Sequence, residues 1–144
     1  MKHENRRSQT SVVTSLTDAL ELSAEITAKS GGSVFVIGGS YLYSESVVHP
    51  NCNKFFITEL FDHPPFMADI FFPEYRSILA AKENSWDNGA NLTIPVVDWL
   101  NTLPVSPRRP PIVSSKDVKA DSEGNHFITE NGISYRFMVY SRNI

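Results

Sequence analysis

The sequence predicts an α/β chain: a mixed, mostly parallel sheet with flanking helices and an antiparallel hairpin at the C-terminus. Three observations carry this. The apolar run Val34-Phe35-Val36-Ile37 lies between two segments read as helices. A second strand-like run, Lys54 to Leu60, follows the second helix. Near the end, Asn131-Gly132 separates two segments rich in alternating apolar residues. Helix, strand, helix and strand in succession call for right-handed crossovers and parallel pairing.

Each element has its own signals. Ser15-Leu16-Thr17-Asp18 has the form of a capping box, in which Ser15 accepts from the amide three residues on and Asp18 reaches back. Leu16, Ala19, Leu20, Ser23 and Ala24 then fall on one helical face, and Lys29 followed by Gly31-Gly32 ends a helix over 16–29. Val34 to Ile37 is apolar throughout and rich in β-branched residues, the pattern of a strand buried on both faces. Gly38-Gly39 ends it. Ser40 is placed to cap a second helix, Tyr41 to Val48, which His49-Pro50 closes. Phe61 to Pro73 reads as a loop rich in proline and aromatic residues. From 80 to 124 the periodicity is weak, apart from Val96 to Leu100, a short helix or docked segment. Pro104, Pro107, Pro110 and Pro111 predict extended chain, so 80–124 is expected to be a variable, flexible segment. His126 to Glu130 and Ile133 to Tyr140 form the arms of the hairpin, with a type I′ turn at Asn131-Gly132. In the second arm Ile133, Tyr135, Phe137 and Val139 alternate with Ser134, Arg136, Met138 and Tyr140.

Composition bounds the function. The chain has 144 residues, 41% of them hydrophobic and 20% charged, enough for one packed domain. A net charge of -3 speaks against a general nucleic-acid binder and against a polybasic membrane contact. Cys52 is the one cysteine, so no disulfide forms within the chain, which fits a reducing compartment. Met1 to Thr10 is polar and lacks the apolar core of a signal peptide, and no apolar run approaches the roughly 20 residues of a membrane helix. A cytoplasmic protein is expected.

The stretch that carries chemistry is Val34 to Tyr43, VFVIGGSYLY. An apolar strand runs into two glycines and then a helix start. Glycine lets another group approach the backbone closely. The helix start offers unpaired amides and the positive end of a dipole. Together they make an anion site suited to a phosphate or diphosphate. Alone, a glycine pair reads more simply as a tight turn.

The surroundings resolve that choice. The sequence resembles the dihydrofolate reductase family in five motifs in the right order: the capped helix at Ser15-Leu16-Thr17-Asp18-Ala19-Leu20, Ile37-Gly38-Gly39 with Tyr43, Phe55-Phe56-Ile57-Thr58, Asp69-Ile70-Phe71-Phe72-Pro73-Glu74, and Asn131-Gly132-Ile133-Ser134-Tyr135-Arg136-Phe137. The resemblance covers residues 14–78 and 126–142. It implies NADPH-dependent hydride transfer to dihydrofolate, giving tetrahydrofolate. It also implies roles. Gly38, Gly39, Ser40, Tyr41 and Leu42 line the diphosphate and nicotinamide side of NADPH. Tyr43 stands beside both the nicotinamide and the pterin. The carbonyl of Ile37 faces the pterin's exocyclic nitrogen, and Thr58 helps hold the pterin-binding carboxylate. A pyrimidine- or riboflavin-pathway reductase on the same fold is the related alternative, and the Phe-Phe-Pro-Glu and hairpin motifs favour the folate enzyme.

The same resemblance implies an absence. Family members begin with a strand, a substrate helix bearing an Asp or Glu, and a basic loop for the 2′-phosphate. Residues 1–14 are polar and match none of these, so no catalytic residue is assigned and the chain reads as the C-terminal half of the fold, truncated before its acid. Residues 1–13, with Arg6 and Arg7, read as a polar tail before a partial reductase-like domain over 14–144. Val34 to Ile37 would then lack strand neighbours, so a homo-oligomer or a full-length relative is expected to cover the exposed sheet. The alternative function is a catalytically inactive fragment or paralogue that binds nucleotide or a partner.

The remaining residues read plainly. Asp18 and Glu21 belong to a capped, solvated helix face. His3, His49, His63 and His126 lack metal-ligand spacing, Cys52 has no neighbouring base, and Asn91-Leu92-Thr93 matches a glycosylation acceptor by chance. Pro107-Arg108-Arg109-Pro110-Pro111 is a linker, with a polyproline-type ligand as the lesser reading.

Overall fold

A computed structural model describes residues 10–61, 67–81, 86–103 and 114–142. The Pro104–Pro111 stretch, His63, and the polar tail up to residue 9, with His3, Arg6 and Arg7, lie outside the described residues.

Helix α1 spans Leu16–Ser30. The Ser15 hydroxyl accepts from the Asp18 amide at 3.1 Å, and Gly31 ends the helix at φ 68, its amide donating to the Thr27 carbonyl. The half-buried face holds Leu16, Ala19, Leu20, Ser23 and Thr27; Ala24 lies outside it. No residue of α1 is fully buried, so the helix rests on the rim of the fold, against α2 (Ser40–Val48). The expected cap of α2 is corrected by one position. Gly39 is the N-cap, without a side-chain bond, and Ser40 is already helical.

The largest correction concerns Val34 to Ile37. It joins no strand ladder, and Val34, Phe35 and Ile37 are 45%, 71% and 88% exposed. A run apolar on both faces becomes a central strand only when strands flank it on both sides. Among the described residues none does, and the run remains irregular chain. The order is therefore helix, helix, strand. The expectation of a mostly parallel sheet falls with it.

Every pairing in the sheet is antiparallel, in the order β1-β5-β4-β3. The strands are β1 (Lys54–Phe61), β2 (Ala90–Asn91), β3 (Val118–Ala120), β4 (His126–Glu130) and β5 (Ile133–Ser141). Strand β1 pairs β5 along its full length, from Lys54 opposite Ser141 to Phe61 opposite Ser134. On its other edge β4 and β2 lie end to end. The β4–β5 turn has Asn131 at φ 50 and Gly132 at φ 78, the geometry that Asn-Gly favours.

Alternation divides the sheet into two faces. Phe55, Ile57, Glu59 and Phe61 share one face with Tyr140, Met138, Arg136 and Ser134. Against that face stand the rings of Phe72 and of Tyr75, the first residue of α3 (Tyr75–Ala80). Phe56, Thr58 and Leu60 share the other face with Val139, Phe137 and Tyr135. There α4 (Thr93–Thr102) packs on β4 and β5, and Ile128, Val97 and Thr93 are fully buried. Buried Thr93 is satisfied: its hydroxyl donates to the His126 carbonyl at 3.1 Å and accepts from the Phe137 amide at 3.2 Å. Asn91 is built in as well. Its side-chain nitrogen donates to the His126 carbonyl at 2.7 Å, and its oxygen accepts from the Thr93 amide at 2.9 Å. The glycosylation-like triplet is therefore a sheet-to-helix junction. Helix α4, β2, β3 and a short 3-10 turn at Ser115–Asp117 all fall within the weakly patterned stretch 80–124.

At the far end of β5, Arg142 ties the sheet to the α2–β1 turn. Its backbone amide donates to the Asn53 carbonyl, one guanidinium nitrogen donates to the His49 carbonyl at 3.2 Å, and the guanidinium lies 4.7 Å over the Trp86 ring. Among the described residues no helix is long and apolar enough to cross a membrane, and no His, Cys, Asp and Glu group has metal-site geometry.

Candidate functional site

The glycine pair opens directly onto α2. The peptide between Gly38 and Gly39 is cis, and Gly38 has φ 113, where a side chain is strained. A Cβ at Gly38 would also stand 3.3 Å from the Tyr43 hydroxyl, so the tyrosine ring lies close against this glycine and a side chain there would press on it. Gly39 is the opposite case: a Cβ there would meet nothing within 4 Å.

The first intrahelical bond of α2 runs from the Tyr43 amide to the Gly39 carbonyl at 3.0 Å. The amides of Ser40, Tyr41 and Leu42 precede it and have no acceptor among the described residues. No acidic residue stands in this first turn, so the positive end of the helix is not neutralised from within. Tyr41 is 73% exposed and its hydroxyl donates to Glu45 at 2.9 Å, one turn on. Glu45 also holds the Tyr41 hydroxyl above its ordinary pKa.

Tyr43 is backed by aromatic rings. Its ring centre is 5.1 Å from that of Phe72, which stacks on Phe55 at 5.5 Å, and Phe55 meets Tyr75 at 5.4 Å. Beneath this stack sits Glu59. Its carboxylate accepts from the Tyr75 hydroxyl, and from Arg136 Nε at 2.8 Å, with Arg76 at 3.6 Å. Burial pushes the Glu59 carboxyl up, but the hydrogen bonds from Tyr75 and Arg136 and the two guanidinium charges outweigh it, leaving it below its ordinary value. Burial, then the bond and charge of Glu59, push the Tyr75 hydroxyl well up. Cys52 is half-buried. Burial raises its thiol, partly offset by Arg142, and the thiol donates to the Lys54 carbonyl.

The residues named from sequence are thus only partly gathered. Gly38, Gly39, Ser40, Tyr41, Leu42 and Tyr43 form one continuous helix start, and Ile37 precedes it, largely exposed. Thr58 is apart. It lies on the α4 face of the sheet, opposite the face that meets the Phe55–Phe72–Tyr43 stack, in a shallow groove with Phe56, Leu92, Val96 and Phe137 that no carboxylate lines among the described residues. Sequence reasoning placed Phe55 and Arg136 inside motifs without giving them a role, and did not single out Tyr75 or Glu59. The alternation of β1, which puts Phe55 and Glu59 on one side, was the available signal.

No family model matches the chain. Over 41 residues, 28% of its length, the chain is 46% identical to a dihydrofolate reductase from Heliothis virescens. The aligned stretch spans 21% of that relative. What the chain shares with dihydrofolate reductase is a partial relationship, over a stretch about a fifth as long as the enzyme.

Proposed function

We propose that this chain is the cofactor-side part of a dihydrofolate-reductase-like, NADPH-dependent oxidoreductase, and that the start of α2 takes the cofactor's diphosphate. The observation that carries the reading is the open space at Gly39 beside the unpaired amides of Ser40, Tyr41 and Leu42. That is the fit a diphosphate needs: close backbone approach, several N–H donors and the positive end of a helix. NADPH is the dinucleotide of this reading because the chain has a short likeness to a dihydrofolate reductase. When bound, NADPH supplies a hydride, and dihydrofolate is the acceptor in this reading. Tyr43 and the carbonyl of Ile37 flank the nicotinamide and pterin side. Thr58 lies on the other face of the sheet, away from the α2 start, and takes no part in this reading. NADPH fluorescence titration tests the reading. Saturable binding without dihydrofolate turnover by the chain alone is expected; no binding at millimolar NADPH overturns it.

A second reading, an interaction module, is favoured by Val34 to Ile37. These residues make no ladder and make no backbone hydrogen bond among the described residues, and they present exposed Phe35 and Ile37. A second copy or a full-length relative would add a strand there. Size-exclusion chromatography with light scattering, with and without Phe35→Asp, tests it. A monomer unaffected by the substitution sinks the self-association form, and failure to bind a full-length reductase sinks the other.

A further inference from the structure

We propose that Phe72 is a positioning residue: its ring holds Tyr43 against Gly38, so that the stack behind it sets the shape of the α2 start. The functional half of this inference rests on the nucleotide reading above; the structural half does not.

A half-exposed tyrosine in the first turns of a helix has more than one side-chain rotamer open to it. Tyr43 nevertheless lies with its hydroxyl, Cζ and Cε2 within 3.3–3.5 Å of where a Gly38 Cβ would be. Something must hold it there. The aromatic ring beside it among the described residues is Phe72, at 5.1 Å and tilted by 48°. Aromatic pairs at this spacing gain attraction beyond their buried area.

Phe72 is itself anchored from three directions. It stacks on Phe55 from β1 and meets the Tyr75 ring edge-on at 6.2 Å. Tyr75 is buried and fixed by its hydroxyl to Glu59. In the chain, Phe72 precedes Pro73, which restricts its backbone. Glu74 then caps α3, accepting from the Arg76 amide at 3.2 Å. Its neighbours Ile70 and Phe71 are 69% and 74% exposed, whereas Phe72 is 39% exposed and turned into the stack. A large apolar ring beside open surface, braced by a sheet residue and a helix start, is suited to hold one thing: the Tyr43 ring over Gly38.

The test compares Phe72→Leu, Phe72→Tyr and, as a control, Phe71→Leu in the full chain. The first readout is the amide resonances of Gly38 and Gly39 in a nitrogen-proton correlation spectrum, which sense the ring current of Tyr43. The second is NADPH affinity. Phe72→Leu is expected to move the glycine resonances and weaken NADPH about fivefold, the range of one aromatic pair. Phe72→Tyr is expected to restore both, and Phe71→Leu to change neither. A loss of thermal stability alone does not count in favour. If the leucine variant fails to fold, Phe72→Met is read in its place. Glycine resonances unmoved in a folded variant overturn the proposal. If the wild-type chain does not bind NADPH, the nucleotide reading falls by itself, and the resonances still decide whether Phe72 positions Tyr43.

Discussion

Thr58 and Glu59 are neighbours in sequence and face opposite sides of the sheet, Glu59 toward Tyr75 and Arg136, Thr58 toward Phe137 and the edge of α4. One strand therefore serves two surfaces: an ionic and aromatic one that backs the glycine helix, and an apolar groove that faces away from it.

The Glu59 cluster makes stability depend on acid. Its folded carboxyl lies below the ordinary value, so its contribution is present above that value and is lost as pH falls through the folded one. Glu59→Gln is expected to destabilise the chain at pH 7 by roughly 2 kcal/mol, the scale of hydrogen bonds to a charged group. It should also reduce the fall in stability as pH drops below the ordinary carboxylate range. Urea unfolding at several pH values measures both.

Gly38 and Gly39 should respond differently to alanine. At Gly38 the positive φ and the Tyr43 ring oppose a methyl group, and Gly38→Ala should cost about 1–3 kcal/mol. At Gly39 the space is open, so Gly39→Ala should leave the melting temperature nearly unchanged while weakening NADPH about tenfold, by filling the room the diphosphate needs. Thermal melts and a binding titration on both variants separate the two effects.

The core beneath α4 should be intolerant of truncation. Ile128 is fully buried between the sheet and α4, and Ile128→Ala should cost about 2–5 kcal/mol. Denaturant midpoints measure it.

Ser15 caps α1, a helix with no fully buried residue. Ser15→Ala should cost about 1 kcal/mol, expressed as fraying of α1 rather than loss of the sheet. Hydrogen exchange resolves the two, and in the same experiment the amides of Val34 to Ile37 should exchange as fast as those of unpaired chain.

The parts legible in the sequence are those with local signals. Ser15 and Gly31 bound α1, Asn131-Gly132 fixes the hairpin, and Gly38-Gly39 with Tyr43 marks the helix start. Val34 to Ile37 misled because burial on both faces is a property of neighbours, and the run carries no information about whether they are present. Helix α4 was read only at 96–100 because its buried stripe is thin, Thr93 and Val97, with Pro95 in the first turn. The Phe72–Tyr43 and Glu59–Tyr75 contacts join separate elements, so no spacing rule exposes them.

Strand β5 pairs with β1, β2 and β4, and its contact with β1 joins residues as far apart in the chain as Lys54 and Ser141. A ribosome making this chain must therefore finish β5 before any of those pairings can form. Until then β1 waits with both edges bare, and the conformational search that closes so long a loop governs how fast the sheet assembles. During synthesis β1 stays open to chaperones and proteases for the time that passes before β5 has left the ribosome.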